Sequence, residues 1–183
     1  MYADNSLTPR EAIRLCALGT LAHKASSGLV SLQYDDLVFE VRHFVSRITG
    51  PSLDLMGESI ELLRYEGLVE SDNEENANPS LRLTETGQNT LQILLKANLR
   101  AGHRELNELI IALKFRFFHL LTLEDQRAQA DQLIDICDTE LARLDDLLAY
   151  HEPDGGHFNE WLKHDILHLE ARLDWLSRFR RNL

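Results

Sequence analysis

The sequence predicts a mainly α-helical protein with a small β-hairpin, in two parts. Three observations predict it. Nine glycines and four prolines are too few for the turns of an all-β chain of 183 residues. The N-terminal part alternates helix-period stretches with short strand-like runs, in the order helix, strand, helix, turn, helix, hairpin, helix. The C-terminal part carries two long apolar seams with steps of three and four residues.

Composition bounds the rest. With 44% apolar and 27% charged residues, the chain can build a core and stay in water. Nineteen Lys and Arg against thirty Asp and Glu leave a formal charge of −11, unusual for a protein that grips nucleic acid. Cys16 and Cys137 lie in apolar helical patterns and read as buried thiols of a reducing compartment. The N-terminus lacks the basic and apolar regions of a signal peptide, and no apolar run approaches a membrane span. A cytoplasmic protein is the expectation.

Each element has a local cause. Thr8-Pro9-Arg10-Glu11 is a capping start for a first helix carrying Ile13, Cys16, Ala17 and Leu21 to about His23. Ser26-Ser27-Gly28 breaks it, and Leu29–Leu32 reads as a short strand. The second helix starts near Tyr34-Asp35-Asp36, acids in its first turn, with a stripe of Leu37, Val38, Val41, Phe44, Val45 and Ile48. Gly50-Pro51 turns the chain, Ser52 caps a third helix with Leu53, Met56, Ile60 and Leu63 inward, and Gly67 stops it. Leu68–Ser71 and Ser80–Leu83 form a hairpin around an acidic loop, and Thr84 caps a fourth helix with Leu91, Leu94 and Leu95. Three helices with a two-stranded wing make a winged helix-turn-helix, here residues 7–100.

Residues 101–183 read as three further helices forming a helical, coiled-coil-like dimerisation domain. The first is crowded with bulky residues, among them Leu106, Ile110, Leu113 and Phe117, and Phe115, Phe117 and Phe118 read as core. Thr122–Asp125 starts the second, whose seam is Ala130, Ile134, Cys137, Leu141, Leu144 and Leu148. The third has Leu162, Ile166, Leu169, Leu173 and Leu176. Such seams bury well in an intramolecular hairpin or against a second copy. Leu162, Ile166, Leu169, Leu173 and Leu176 are the expected homodimer interface.

The stretch SIELLRYEGLVES followed by LRLTETGQNTL resembles the PadR family of bacterial transcription regulators, and MarR-like winged helices share parts of it. KFRFFHLLTLEDQ, LDDLLAY and HDILHLEARLDWLSRF extend the resemblance, in family order, from about Leu7 to Arg180. It implies a DNA-binding regulator that dimerises through its C-terminal helices and lays its third helix in the major groove. In some PadR-like proteins aromatic residues line a ligand pocket between subunits. Trp161 and Trp175 are therefore the candidate effector pocket, although packing alone also accounts for them.

The expected DNA contacts are Arg47, Ser52, Arg64 and Arg82. Against them stand Asp54, Glu58 and Glu61 on the outward face of the third helix. The family commonly has a tyrosine where this chain has Gly57, and basic residues near Glu61 and Leu62. Residues 1–95 hold seven Lys and Arg against fourteen Asp and Glu, so the half expected to bind DNA is the more acidic one. A second reading follows: a winged helix whose acidic face binds a basic protein partner instead of DNA. No Gly-rich phosphate loop and no Gly-x-Ser-x-Gly elbow occurs, so neither an enzyme nor a cofactor is expected. His164 and His168 share a helix face and can bind zinc, but no HExxH and no cysteine joins them, so no metal is expected either.

Overall fold

The computed structural model describes residues 5–50, 56–72, 78–99, 104–151 and 156–183. It divides into two compact units, Met1–Leu121 and Thr122–Leu183.

The first unit is built around α1 (Pro9–Ser26). Thr8 Oγ1 accepts the amide of Glu11 at 3.2 Å while the Glu11 carboxylate accepts the amide of Thr8 at 2.8 Å, the reciprocal cap the sequence predicts. Every residue of α1 from Ala12 to Ala22 except Arg14 is buried. The helix runs past His23 because the hydroxyls of Ser26 and Ser27 bond the His23 carbonyl. Gly28 then turns the chain with a φ of 94°. The strand expected at Leu29–Leu32 starts later, as β1 (Leu32–Gln33), and leaves Leu29 and Val30 exposed.

Helix α2 (Tyr34–Thr49) buries Leu37, Val41 and Val45, half-buries Val38 and Phe44, and exposes Ile48. Gly50, with a φ of 77°, ends it. Helix α3 (Met56–Tyr65) buries Ile60 and Leu63. The expected cap Ser52, with Leu53 and Asp54, lies outside the described residues, as do the side chains of Met56, Gly57 and Glu58. Strands β2 (Val69–Ser71) and β3 (Ser80–Leu83) pair antiparallel, Glu70 opposite Arg82. β1 joins the other edge of β3, giving the order β1-β3-β2.

The Leu-Thr-x-x-Gly motif is the joint between wing and helix. Thr84 Oγ1 caps α4 (Glu85–Leu95) by accepting the amide of Gly87 at 3.0 Å and donates to the Gly67 carbonyl at 2.7 Å. Gly87 lies so close to the Leu68 backbone that a Cβ there would overlap its carbonyl oxygen. Only glycine lets α4 pack this near the strand.

The unit continues through α5 (Arg104–Phe117) and a 3-10 turn, Phe118–Leu120. Leu109, Ile110, Leu113, Phe117 and Leu121 complete the core around α1. Gly19 on α1 leaves room for the Phe117 ring, which a Cβ would strike. The compact boundary therefore falls at Leu121 rather than near residue 100, because α1 needs α5 to cover it. Phe118 is buried as well, and Phe115 is half-buried and stacks on it. Lys114, only 1% exposed, donates from Nζ to the Leu95 carbonyl at 2.6 Å, at the C-terminal end of α4. The helical spacing did not mark it as buried.

In the second unit, α6 (Leu123–His151) packs along α7 (His157–Arg181). Arg180, near the end of α7, grips Asp131, near the start of α6, at 2.7 and 3.0 Å. At the other end Asn159 donates to the His151 carbonyl at 2.9 Å, so the pair is antiparallel. Thr122 caps α6 through the Asp125 amide, as the sequence predicts. Ala130, Leu133 and Cys137 are buried, whereas Ile134, Leu141, Leu144 and Leu148 are half-buried. On α7, Leu162, Ile166, Leu169 and Leu176 are buried and Leu173 is half-buried. Burial pushes the Cys16 thiol up to about 12 and raises that of Cys137, so both stay protonated thiols at neutral pH.

Two outcomes follow. Gly87→Ala should destabilise the first unit by about 1–3 kcal/mol in denaturant unfolding, because a backbone carbonyl cannot move aside. Burial lowers the Lys114 ammonium from 10.5 to about 7. Between those values the unfolded chain binds a proton that the folded chain releases, so stability rises as pH rises. The limiting slope is about 1.4 kcal/mol per pH unit. Denaturation series from pH 7 to 9 should show this rise in the wild type and lose it in Lys114→Met.

Candidate nucleic-acid interface

Residues 51–55 separate helices α2 and α3 in sequence, and the wing strands follow α3. With Leu37, Val41 and Val45 inward, the opposite face of α2 presents Phe39, Arg42, His43, Ser46 and Arg47 to solvent. Phe39 stacks on His43 with ring centroids 5.9 Å apart. Arg42, Arg47 and Arg64 make no ion pair among the described residues. Other cations of the first unit are engaged: Arg14 with Glu66 at 2.7 Å, Lys24 with Glu40 at 3.2 Å, and Arg82 with Glu70 at 2.8 Å. Arg82 thus lies across the strand register from a carboxylate. Both partners are largely exposed, and such a pair contributes only about 0–1 kcal/mol, so exchange for another anion costs little.

On α3 the outward residues are Glu61, Leu62 and Tyr65, the last 90% exposed. Arg64 is half-buried near Tyr34 and Glu61. Burial chiefly, then the Glu61 and Asp35 carboxylates, pushes the Tyr34 phenol up, while Arg64 opposes them. The N-terminus of α2 therefore faces the C-terminal half of α3 through a mixed-charge cluster. The base of the wing is tied to α2: the Tyr34 amide donates to the Pro79 carbonyl at 2.9 Å and the Asp35 amide to Asn78 Oδ1 at 3.0 Å. The acidic residues Glu74 and Glu75 at the wing tip lie outside the described residues.

A second set of contacts orients α2 from behind. The Arg116 guanidinium on α5 lies 4.5 Å over the Phe44 ring and 5.1 Å over that of Phe117. It also reaches Glu40 at 3.4 Å, and Lys24 on α1 shares that carboxylate. Three helices meet on one glutamate, which limits rolling of α2 under its exposed arginines. Sequence reasoning counted Arg42 among the available cations without choosing it as a DNA contact, and it missed His43 and this brace. Arg42 and His43 were findable, since they fall opposite the Leu37–Val41–Val45 stripe. Arg116 was not, because Phe44 and Glu40 lie 72 and 76 residues earlier in the chain.

The residues expected at a dimer interface sit elsewhere. Leu162, Ile166, Leu169 and Leu176 are covered by α6 of the same chain, and Leu173 partly so, because an antiparallel hairpin satisfies their seam. Trp161 and Trp175 are 54% and 47% exposed on another side of α7. Trp161 neighbours Phe158, and Trp175 stacks on Phe179 at 5.6 Å. Fourteen residues of helix separate the tryptophans by about 21 Å, so within one chain they do not line a common pocket. His164 and His168 lie between them. Among the described residues no group of three or more His, Cys, Asp or Glu could hold a metal ion, and no helix is long and apolar enough to cross a membrane.

A winged helix-turn-helix with cations on α2 is the architecture of a DNA-binding regulator. Among curated proteins none matches the chain. The model of the family described as "Putative AphA-like transcriptional regulator" matches residues 2–180, covering both units. The chain belongs to this family of AphA-like transcriptional regulators.

Proposed function

We propose that the chain is a PadR-like transcriptional regulator that binds double-stranded DNA as a homodimer. The α2–α3 pair and the wing meet the duplex, and the α6–α7 hairpin holds two copies together. The observation that carries the DNA reading is the exposed face of α2. In a chain of net charge −11, it offers Arg42 and Arg47, neither in an ion pair among the described residues, with His43 between them in sequence. A local cationic patch governs contact with phosphates even where the whole protein is acidic. Arg64 and Arg82 supply further contacts, Arg82 by releasing Glu70. Glu61 faces the same side and holds affinity down.

The seam leucines of α7 are occupied inside the hairpin, so we place the second copy on the exposed side of α7, along Phe158, Trp161, Trp175 and Phe179. Burying those rings is worth several kcal/mol at about 25 cal/mol per Å². Charge supports it: α6 carries eight Asp and Glu against two Arg, whereas α7 carries five Lys and Arg against four Asp and Glu. A small-molecule effector held by Trp161 and Trp175 belongs to the same interface. It requires side chains from both copies, and its binding would shift the spacing of the two DNA-binding heads.

A gel-shift series over salt concentration tests the DNA reading. Arg47→Ala should weaken duplex binding and reduce the slope of log K against log salt by about 0.9. Glu61→Gln should tighten binding to any duplex. The acidic face of α3 and the seven-to-fourteen charge balance of residues 1–95 favour the other reading, a basic protein partner. No duplex binding by the wild type at low salt, with a basic partner released by Glu61→Gln, would establish that reading instead.

Sedimentation tests the assembly. The full-length protein should be a dimer at micromolar concentration, and the Trp161→Glu, Trp175→Glu double variant a folded monomer. Leu169→Asp should unfold the hairpin itself, since it buries a carboxylate against α6. A wild-type monomer would sink the dimer reading.

A further inference from the structure

The exposed side of α7, where we place the second copy, also carries a histidine pair that neither DNA binding nor the aromatic contact employs. His164 and His168, one helical turn apart, bring their Nε2 atoms to 3.1 Å, with ring centroids at 4.3 Å. Zinc–imidazole bonds are about 2.0–2.1 Å, so two ligands at an ordinary coordination angle lie roughly 3.0–3.4 Å apart. The pair already has the bite of a chelate. Its geometry also suits a neutral N–H···N hydrogen bond, in which one Nε2 donates and the other accepts. An ion replaces that bond when both imidazoles carry their proton on Nδ1. Asp165 supports that tautomer for His164, its Oδ1 lying 3.7 Å from His164 Nδ1. The His164 side chain is 67% exposed in the single chain, so an ion reaches the pair before the second copy docks, without unfolding, and water fills the remaining positions.

We propose that His164 and His168 chelate one divalent transition-metal ion of the zinc, nickel and copper class. Two neutral imidazoles with open coordination positions select these ions over magnesium and calcium, which require oxygen ligands. The site adds two positive charges between Trp161 and Trp175, on a stripe of α7 where the nearest carboxylate is Asp165. The other close histidine pair, His23 Nδ1 and His119 Nε2 at 3.0 Å, joins two different elements of the first unit and serves as the internal comparison.

The chain has two tryptophans, and both flank the site, so fluorescence reads it directly. Full-length protein titrated with copper(II) chloride should lose tryptophan emission up to one equivalent. Zinc chloride in competition with a chromophoric chelator should bind at the same stoichiometry, and magnesium chloride should do neither. His164→Ala and His168→Ala should each weaken zinc binding by about tenfold or more, with helix content unchanged by circular dichroism. His157→Ala should leave it unaltered, and His23→Ala should leave the copper quenching of tryptophan emission unaltered, since both tryptophans lie on α7. The proposal falls if the wild type takes up no zinc at micromolar concentration. It falls equally if the His164→Ala, His168→Ala double variant binds zinc as the wild type does.

Discussion

Helix α1 is buried from Ala12 to Ala22 except at Arg14, and the first unit is organised by the need to cover it. A helix that is apolar all round is stable only inside a shell of other elements. Here α2, α3, α4, α5 and β3 each take a sector. Small residues on α1, namely Ala12, Cys16, Ala17, Gly19 and Ala22, let those neighbours approach closely, Gly19 most of all at the Phe117 ring. The same demand draws α5 out of the C-terminal half and into the first unit. The covering helix brings Arg116, the cation that fixes α2 through Glu40 and Phe44. Stability of the core and orientation of the interface thus share residues.

The proposed interface works against an acidic background by separating its charges. Carboxylates at the end of α3, on α2 and in the wing neutralise Arg14, Lys24 and Arg82, while Arg42, Arg47 and Arg64 stay unpaired among the described residues. Exposed ion pairs are weak, so the paired arginines form a reserve that phosphate can recruit, at a cost set by ionic strength. Contacts to the backbone position a protein on DNA but carry little sequence information. Under this reading α2 supplies attraction, and the sparse, acidic face of α3 supplies discrimination, since a carboxylate beside the duplex is tolerated only where a base donor can meet it.

The second unit divides its apolar residues by size and side. Leu162, Ile166, Leu169 and Leu176 of α7 turn toward α6 and close the hairpin, whereas Phe158, Trp161 and Trp175 stay largely outside with Leu167 and the histidine pair. Tryptophan and histidine tolerate this placement because each has a polar edge that water can solvate. The outside of α7 is therefore suited to reversible contacts, with a protein surface or with an ion.

The sequence by itself determined the helices, the wing and their order. Caps at Thr8, Thr84 and Thr122 and turns at Gly28, Gly50 and Gly67 act over a few residues, and the apolar periods along α2 and α7 mark their buried faces. It also marked Gly87 through the Leu-Thr-x-x-Gly motif, though not the reason for it, which is a carbonyl nineteen residues earlier. Tertiary structure alone decided what each buried face meets. It assigned α5 to the first unit and spread the α7 leucines against α6 rather than leaving them for a partner. It buried Lys114 beneath α4 and placed Arg82 opposite Glu70. Periodicity states that a face must leave water, and the hydrophobic effect that enforces this is non-directional. Which surface covers the face depends on close packing between residues distant in the chain, and no local pattern encodes that choice.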